Sequence, residues 1–175
     1  MPGQQPPSLL RRRLSKKGSG KLLDHDQGYR DDRGWTALHI AARKGDLKEV
    51  KRILDDGGNV NEPAWGPKSR GATPLHLAAS GGHIKVMDEL LEHGADIDAR
   101  TKGGCGWTPL HNAAKERNKK AIQFLIENGA FLPDDINDGR FNPPLHYCPG
   151  LELAYKLKDK ISPSVNDEYS DQETQ

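Results

Sequence analysis

Four histidines recur along this sequence at nearly equal intervals, and histidine is both a common metal ligand and a general base. They are His39, His76, His111 and His146, spaced 37, 35 and 35 residues apart. Because each spacing corresponds to a whole structural repeat, the four rings cannot converge on one ion. We expect each ring instead to hydrogen-bond neighbouring threonine or backbone groups and so to tie successive repeats together.

The two cysteines do not complete a catalytic or metal-binding set. Cys148 lies two residues from His146, but no third and fourth ligand follow at zinc-site spacing. Cys105 is part of the string GGCG, which lacks the Gly-Lys-Ser/Thr of a phosphate-binding loop. Its thiol is either reactive or merely solvent-facing. Since no nucleophile stands beside a base, we predict a protein that is not an enzyme and that binds no metal, cofactor or small-molecule substrate.

The histidines belong to an internal repeat that predicts the fold. The strings TALH, TPLH and TPLH are each followed by an Ala-Ala pair, and a glycine closes an apolar stripe 15 residues after the second alanine. A repeat of roughly 33 residues with T-P-L-H-x-A is the ankyrin signature. We therefore predict an all-α ankyrin-repeat solenoid with β-hairpin fingers. Its helix-turn-helix repeats span about 34–66, 71–103 and 106–138, and a degenerate C-terminal capping repeat spans 139–161.

Local signals define the helices within the repeats. Thr73 suits the cap of a first helix, and Pro74 suits its first position because the missing N–H costs nothing there. In the capping repeat, Pro149 makes the first helix short or absent, and residues 151–160 are predicted to form a single helix.

One turn departs from the repeat pattern. Arg117 stands where the earlier repeats have Gly45 and Gly82. Because a left-handed backbone strains a residue with a Cβ, we expect Asn118 to adopt that conformation in place of Arg117.

The formal net charge of +1 conceals two ends of opposite charge. Residues 1–31 carry a balance of +4, residues 162–175 carry −4, and the chain between them carries +1. Both ends have the composition of disordered tails around a domain at 32–161. An apolar fraction of 34% and a mean hydropathy of −0.82 agree with this prediction.

A basic cluster at residues 11–17 (RRRLSKK) is open to three interpretations. It is a solvated tail, a nuclear-import or anion-binding patch, or part of an organelle transit peptide. Ser15 is a candidate regulatory site, because its phosphorylation would subtract charge from the cluster. We expect no nucleic-acid partner, since the body of the chain is nearly neutral, and no membrane segment, since no run approaches ~18 apolar residues. The expected state is a cytoplasmic and nuclear monomer.

The remaining chemistry lies on the surface. In ankyrin stacks the fingers and first helices line a concave groove, and the residue before each motif threonine faces it. Here these residues are Trp35, Ala72 and Trp107. Exposed tryptophan is typical of binding hot spots, although each ring could instead lie flat on the neighbouring finger. The predicted contact set adds a tryptophan of the longest finger and nearby cations, and comprises Trp35, Arg43, Lys44, Trp65, Lys68, Arg70, Lys102 and Trp107. An aromatic groove flanked by cations suits an acidic-hydrophobic protein surface.

Several strings go beyond the generic repeat. They are AWGPKS at 64–69, CGWTPLH at 105–111, GAFLPDD at 129–135, RFNPP at 140–144 and GLE at 150–152. Through them the chain, over about 34–158, resembles the plant phytochrome-interacting ankyrin-repeat proteins. The resemblance implies a stack that binds the photoreceptor phytochrome, favours its light-activated form, and acts in light signalling and gene expression. No motif of this family assigns the contact residues, so the predicted contact set rests on surface reasoning.

Three other functions remain open from the sequence. The chain could be a substrate-recognition adaptor in a ubiquitin-ligase or kinase assembly, although no RING-type Cys/His cluster or kinase motif accompanies it. A redox or metal enzyme using Cys105 and Cys148 would contain bound metal. Nucleic-acid binding through residues 11–21 would show salt-sensitive retention on DNA.

Overall fold

A computed structural model describes residues 30–104 and 106–162, and this part of the chain forms seven helices. They are α1 (Ala37–Lys44), α2 (Leu47–Asp55), α3 (Pro74–Gly81), α4 (Ile84–Glu92), α5 (Pro109–Lys115), α6 (Lys119–Glu127) and α7 (Leu151–Ile161). Three helix pairs are followed by a single helix, which confirms the predicted repeats and cap helix. No first helix precedes α7 in the cap, as Pro149 predicted. None of these described helices is both long and apolar enough to cross a membrane.

Each first helix begins at a threonine that is paired with the histidine three residues later. The backbone N–H groups of Thr36, Thr73 and Thr108 donate to the Nδ1 atoms of these histidines at 3.1, 3.0 and 3.0 Å. Because Nδ1 accepts a backbone N–H, the neutral ring carries its proton on Nε2. The threonine therefore caps the helix and at the same time sets the tautomer of the histidine.

The protonated Nε2 atoms then join each repeat to the next. Nε2 of His39 donates to the carbonyl of Ala72 at 2.9 Å, and Nε2 of His76 donates to the carbonyl of Trp107 at 2.9 Å. Nε2 of His111 reaches the Oδ1 atom of Asn142, also at 2.9 Å. The predicted tying of repeats is confirmed for these three histidines.

The prediction is wrong for the fourth histidine. His146 is exposed, and its ring centroid lies 4.0 Å from that of Tyr147. The cap has no first helix that would begin beside this ring, so the threonine–histidine arrangement of the other repeats is not formed there.

The stack is built from two layers of helices with unequal packing. The first helices, α1, α3 and α5, contact one another more extensively than the second helices α2, α4 and α6 do. Fully or nearly fully buried alanine pairs at 41–42, 78–79 and 113–114 allow this close approach. The stack therefore curves with the first helices on its inside, and we call the first helices and adjoining fingers the inner face.

The fingers between repeats are closed by backbone hydrogen bonds. Ala64 and Ala72 are joined at 2.8 Å, and the N–H of Thr101 donates to the carbonyl of Trp107 at 2.9 Å. The N–H of Lys102 also donates to the carbonyl of Arg70 at 2.9 Å, which links one finger to the next. The part of the chain described here contains no regular strand, so the predicted β-hairpins are not confirmed.

The turn between α5 and α6 corrects one prediction. Arg117 itself takes the left-handed conformation, with φ of 53°, whereas Asn118 has φ of −78° and caps α6 by accepting from the N–H of Ala121. The turn repeats the hydrogen bonds of the glycine turn at Gly82, with the N–H of Arg117 bonded to the carbonyl of Ala114 at 2.9 Å. The turn geometry therefore imposes the left-handed residue, whatever its side chain.

Replacing Arg117 with glycine should raise the free energy of unfolding by about 1 kcal/mol. A left-handed backbone costs a residue with a Cβ about 1–2 kcal/mol, and the extra freedom of glycine in the unfolded chain returns part of that gain. Urea denaturation of the full chain measures the change. The neighbouring Glu116 has φ of −80°, so Glu116→Gly is the matched control and should destabilise. If both substitutions lowered the free energy of unfolding, the backbone at Arg117 would not be strained.

The buried histidines make stability dependent on pH. Burial lowers the pKa of His39 and of His76 to about 4, from an ordinary value of 6.5. Between these values the unfolded chain binds protons that the folded chain does not, so the free energy of unfolding should fall as pH drops from 6.5 to about 4. The slope is at most about 1.4 kcal/mol per pH unit for each histidine.

Urea midpoints measured across that pH range test the dependence. The exposed His146 provides a matched control, because His146→Gln should leave the slope intact while His76→Gln should flatten it. Equal slopes in the wild-type chain and the His76→Gln variant would refute the assignment.

Candidate partner-binding surface

Trp35 is anchored between its own finger and the next one. Its ring is half-buried, and its indole N–H donates to the hydroxyl of Ser69 at 2.9 Å. The guanidinium of Arg33 lies 3.9 Å from the ring centroid, within cation–π distance. Trp35 therefore joins two fingers as well as presenting part of its ring to solvent. The buried Ala72 follows it in the predicted row, with its carbonyl bonded to His39.

Trp107 is held from three sides and remains half-exposed on the inner face. Its backbone N–H donates to the hydroxyl of Thr101 at 2.9 Å, and its backbone carbonyl accepts from Nε2 of His76. Its ring meets that of His111 edge-on, with centroids 6.3 Å apart. The ammonium of Lys115 lies 5.4 Å from the centroid of Trp107. The backbone of Trp107 is thus fixed, and its ring lies between His111 and the Lys115 cation.

Trp65 is the most exposed tryptophan, with 66% of its surface accessible. The guanidinium of Arg30 lies 3.7 Å from its ring centroid. Arg30 is itself nearly buried, donates to the carbonyls of Gly34 and Pro63 at 2.9 and 2.8 Å, and pairs with Glu62. Sequence reasoning placed Arg30 in the tail. In the sequence, only its place a few residues before the first motif could have indicated a structural role, and an arginine at such a place is too common to be informative.

The five predicted cations are all exposed, and four of them form two neighbouring pairs. Arg70 and Lys102 are brought together by the hydrogen bond between their fingers. Arg43 and Lys44 lie in the last turn of α1, where the helix dipole favours positive charge. The remaining predicted cation, Lys68, is exposed on the same finger as Arg70.

Lys115 belongs with Trp107 but was absent from the predicted contact set. It ends α5, and its charge also acts on the buried Cys148 of the cap. We call Arg70, Lys102, Trp107 and Lys115 the Trp107 surface. Within the described residues, none of its three cations forms an ion pair. Lys115 could have been predicted from its place one helical turn after His111.

The cap depends on a buried side chain that sequence reasoning did not single out. Asn142 accepts from His111 and donates to the carbonyl of Ile136 at 3.1 Å and to the hydroxyl oxygen of Tyr155 at 2.8 Å. Tyr155 in turn donates to the carbonyl of Pro133 at 2.8 Å, and burial raises its pKa. Asn142 thus receives the bond that a finger carbonyl receives in the earlier repeats.

A second feature missed by sequence reasoning is an aromatic pair beside the cap. The rings of Phe131 and Phe141 meet edge-on at 5.3 Å, and Phe131 is 52% exposed. With Asp98 and Arg100 they line a cavity of about 210 Å³. Arg100 donates to the carbonyl of Gly106 at 3.0 Å and to that of Arg140 at 3.1 Å, so the cavity wall joins the third repeat to the cap.

The described residues show no group of three or more side chains suited to hold a metal ion. Burial raises the pKa of Cys148 to about 11, which keeps this thiol protonated near neutral pH. The predictions for Cys105 and Ser15 fall outside the described residues.

Comparison with known proteins gives matches along most of the chain. Family models match residues 13–101 as ankyrin repeats in three copies and residues 105–130 as an ankyrin repeat. Phytochrome-interacting ankyrin-repeat protein 1 of Arabidopsis thaliana is 73% identical over 133 residues, which is 76% of this chain and 76% of the relative. Phytochrome-interacting ankyrin-repeat protein 2 of the same plant is 68% identical over 132 residues, covering 75% and 76%.

A more distant match is the human BRCA1-associated RING domain protein 1. It is 41% identical over 61 residues, which is 32% of this chain and 8% of that protein. Together with the helix pairs, the capping threonines and the histidine links, the matches show that this chain is an ankyrin-repeat protein and belongs to the family of phytochrome-interacting ankyrin-repeat proteins.

Proposed function

We propose that this chain is a non-enzymatic module that binds phytochrome, and that the Trp107 surface is central to that contact. The observation that carries the proposal is the 73% identity to a relative named for its interaction with phytochrome. The aligned stretch covers 76% of each chain, so it is long enough to include the repeats and their inner face. The predicted preference for the light-activated form is part of the proposal.

The geometry of the Trp107 surface supports this role. The backbone of Trp107 is held by hydrogen bonds to Thr101 and His76, and its ring packs edge-on against His111, so little conformational entropy is lost when a partner covers it. Lys102 and Lys115 supply exposed positive charge on either side in sequence. Such a surface suits an acidic-hydrophobic patch on a partner, whose carboxylates would pair with the ammonium groups while an apolar group covers the indole.

The cellular setting follows from the proposed partner. We propose that the chain acts in light signalling and the regulation of gene expression, as a monomer present in both cytoplasm and nucleus. The basic cluster at residues 11–17 supports entry into the nucleus by its composition. The adaptor alternative gains no support from the RING-domain relative, because the match covers only 8% of that protein.

Substitutions on the Trp107 surface should weaken capture of purified phytochrome. Trp107→Ala should lower the affinity by roughly 30-fold, the effect of losing a hot-spot contact of about 2 kcal/mol. Lys102→Glu should lower it less and make the remaining binding less sensitive to salt. Binding is measured on an immobilised full chain with phytochrome in its dark and light-activated forms.

Two controls separate recognition from folding. Lys85→Glu makes the same charge change as Lys102→Glu on an exposed residue of the second-helix layer, and it should leave binding unchanged. Urea denaturation reports whether Trp107→Ala has destabilised the stack. If phytochrome binds neither the wild-type chain in darkness nor that in light, the partner is wrong. Equal binding by wild type, Trp107→Ala and Lys102→Glu would show that the surface is wrong.

A further inference from the structure

The inner face carries positive charge that the described fold does not neutralise. Arg43, Lys44, Lys68 and the cations of the Trp107 surface are exposed, and none of them pairs with a carboxylate among the described residues. Cations elsewhere in the fold do form ion pairs: Arg30 pairs with Glu62, and Lys158 pairs with Asp134. The inner face is therefore a site where added carboxylates would gain ion pairs without breaking existing ones.

The same chain contains a segment of complementary charge. Residues 163–175 (PSVNDEYSDQETQ) hold Asp167, Glu168, Asp171 and Glu173, and include no lysine or arginine. Tyr169 lies in the middle of these acids. The segment thus has the acidic and aromatic chemistry for which the Trp107 surface is suited. The segment lies outside the residues that the structure describes.

We propose that residues 163–175 bind the Trp107 surface of their own chain and compete there with the protein partner. Carboxylates of the segment pair with Lys102, Lys115 and Arg70, and the segment thereby shields the indole of Trp107 from solvent. The competition rests on the proposed function, whereas the intramolecular contact does not.

The fold brings the start of the segment within reach. Helix α7 has 11 residues and is therefore about 16 Å long, and it ends beside Ser162. Tyr147, next to the Cys148 on which Lys115 acts, precedes α7 by four residues. The path from Ser162 back to Tyr147 is thus at most about 30 Å. From there, Sγ of Cys148 lies 3.6 Å from the carbonyl oxygen of His111, whose ring meets that of Trp107 edge-on. The 13 residues from Ser162 to Gln175 span about 45 Å when extended, which exceeds the path to Tyr147.

Attachment to the same chain makes weak ion pairs sufficient. An exposed ion pair contributes at most about 1 kcal/mol, so three of them would give a separate peptide little affinity. A tethered segment faces its site at an effective concentration in the millimolar range, which allows such weak contacts to be substantially formed. Because the pairs are exposed, 1 M salt should release the segment, since it shortens the Debye length from about 8 to about 3 Å.

Tryptophan fluorescence can detect the contact directly. The chain has three tryptophans, all on the fingers or just before a first helix, and none in residues 163–175. The full chain is compared with a variant carrying Asp167→Asn, Glu168→Gln, Asp171→Asn and Glu173→Gln, which retains every residue position. We expect red-shifted emission and stronger acrylamide quenching in the variant. In 1 M salt the wild-type chain should match it.

Two charge-reversal variants within the described fold, one on the Trp107 surface and one away from it, provide a test and its matched control. Lys115→Glu should reproduce the fluorescence of the neutralised variant, whereas Lys156→Glu, on an exposed position of α7, should leave it as in wild type. Identical fluorescence in the wild-type, neutralised and Lys115→Glu chains would overturn the proposal. Contact between two chains instead of within one would overturn it as well, and would appear as a dependence of the shift on protein concentration.

Partner binding separates this proposal from the proposed function. If the segment covers the surface in nine molecules of ten, neutralising it raises the apparent affinity for phytochrome about tenfold, because only the open fraction binds. A fluorescence change with no phytochrome binding in any chain would support the intramolecular contact and reject the proposed partner. Phytochrome binding that is equal in wild-type and neutralised chains, with no fluorescence change, would reject the segment contact alone.

Discussion

The hydrogen bond from one repeat's histidine to the next repeat's finger is the interaction on which the rest of this structure depends. A neutral imidazole offers one acceptor and one donor on opposite sides of its ring. The threonine N–H uses the acceptor, and the donor is then directed at a carbonyl or amide oxygen about 31 to 33 residues further on. Each bond is 2.9 Å long and its histidine is buried, so leaving the ring unpaired would cost about 1–3 kcal/mol. Local capping and long-range stacking are therefore one network.

The same network determines where the proposed binding surface lies. The carbonyl that accepts from His76 belongs to Trp107, so the bond that joins the second repeat to the third also positions the indole on the inner face. At the end of the stack, no further repeat supplies a finger carbonyl in this position. The amide of Asn142 replaces it, and Tyr155 of α7 completes the closure. The cap thus satisfies His111 without a complete fourth repeat, and it leaves His146 and Tyr147 exposed.

The sequence predicted the repeats, their helices and the role of three histidines, because these features recur with a fixed spacing and each follows from a local rule. It failed where a repeat position has unusual chemistry. Arg117 adopts the left-handed turn because the hydrogen bonds of the turn are retained regardless of side chain, and local strain does not outweigh them. The salt bridge of Arg30 joins residues far apart in sequence, and no periodicity reveals it. Asn142 stands before the fourth motif as Ala72 and Trp107 stand before theirs, but periodicity does not predict that its side chain accepts from His111 in place of its carbonyl. Trp35 and Trp107 were found from their place before the motif threonine, but the hydrogen bond from Trp35 to Ser69 of the next finger depends on the three-dimensional fold.

A nearly neutral stack with an uncompensated inner face places a constraint on recognition. Long-range steering depends on the net potential of the whole molecule, which is small at a formal charge of +1. Attraction to the Trp107 surface therefore acts only within about 8 Å at physiological salt, after the partner has already approached. At that range the separation between Lys102, Lys115 and the indole matters more than their total charge. The histidine network keeps the backbone of Trp107 in place, and hence we expect selectivity at the proposed surface to depend on the rigidity of the buried links rather than on the number of exposed cations.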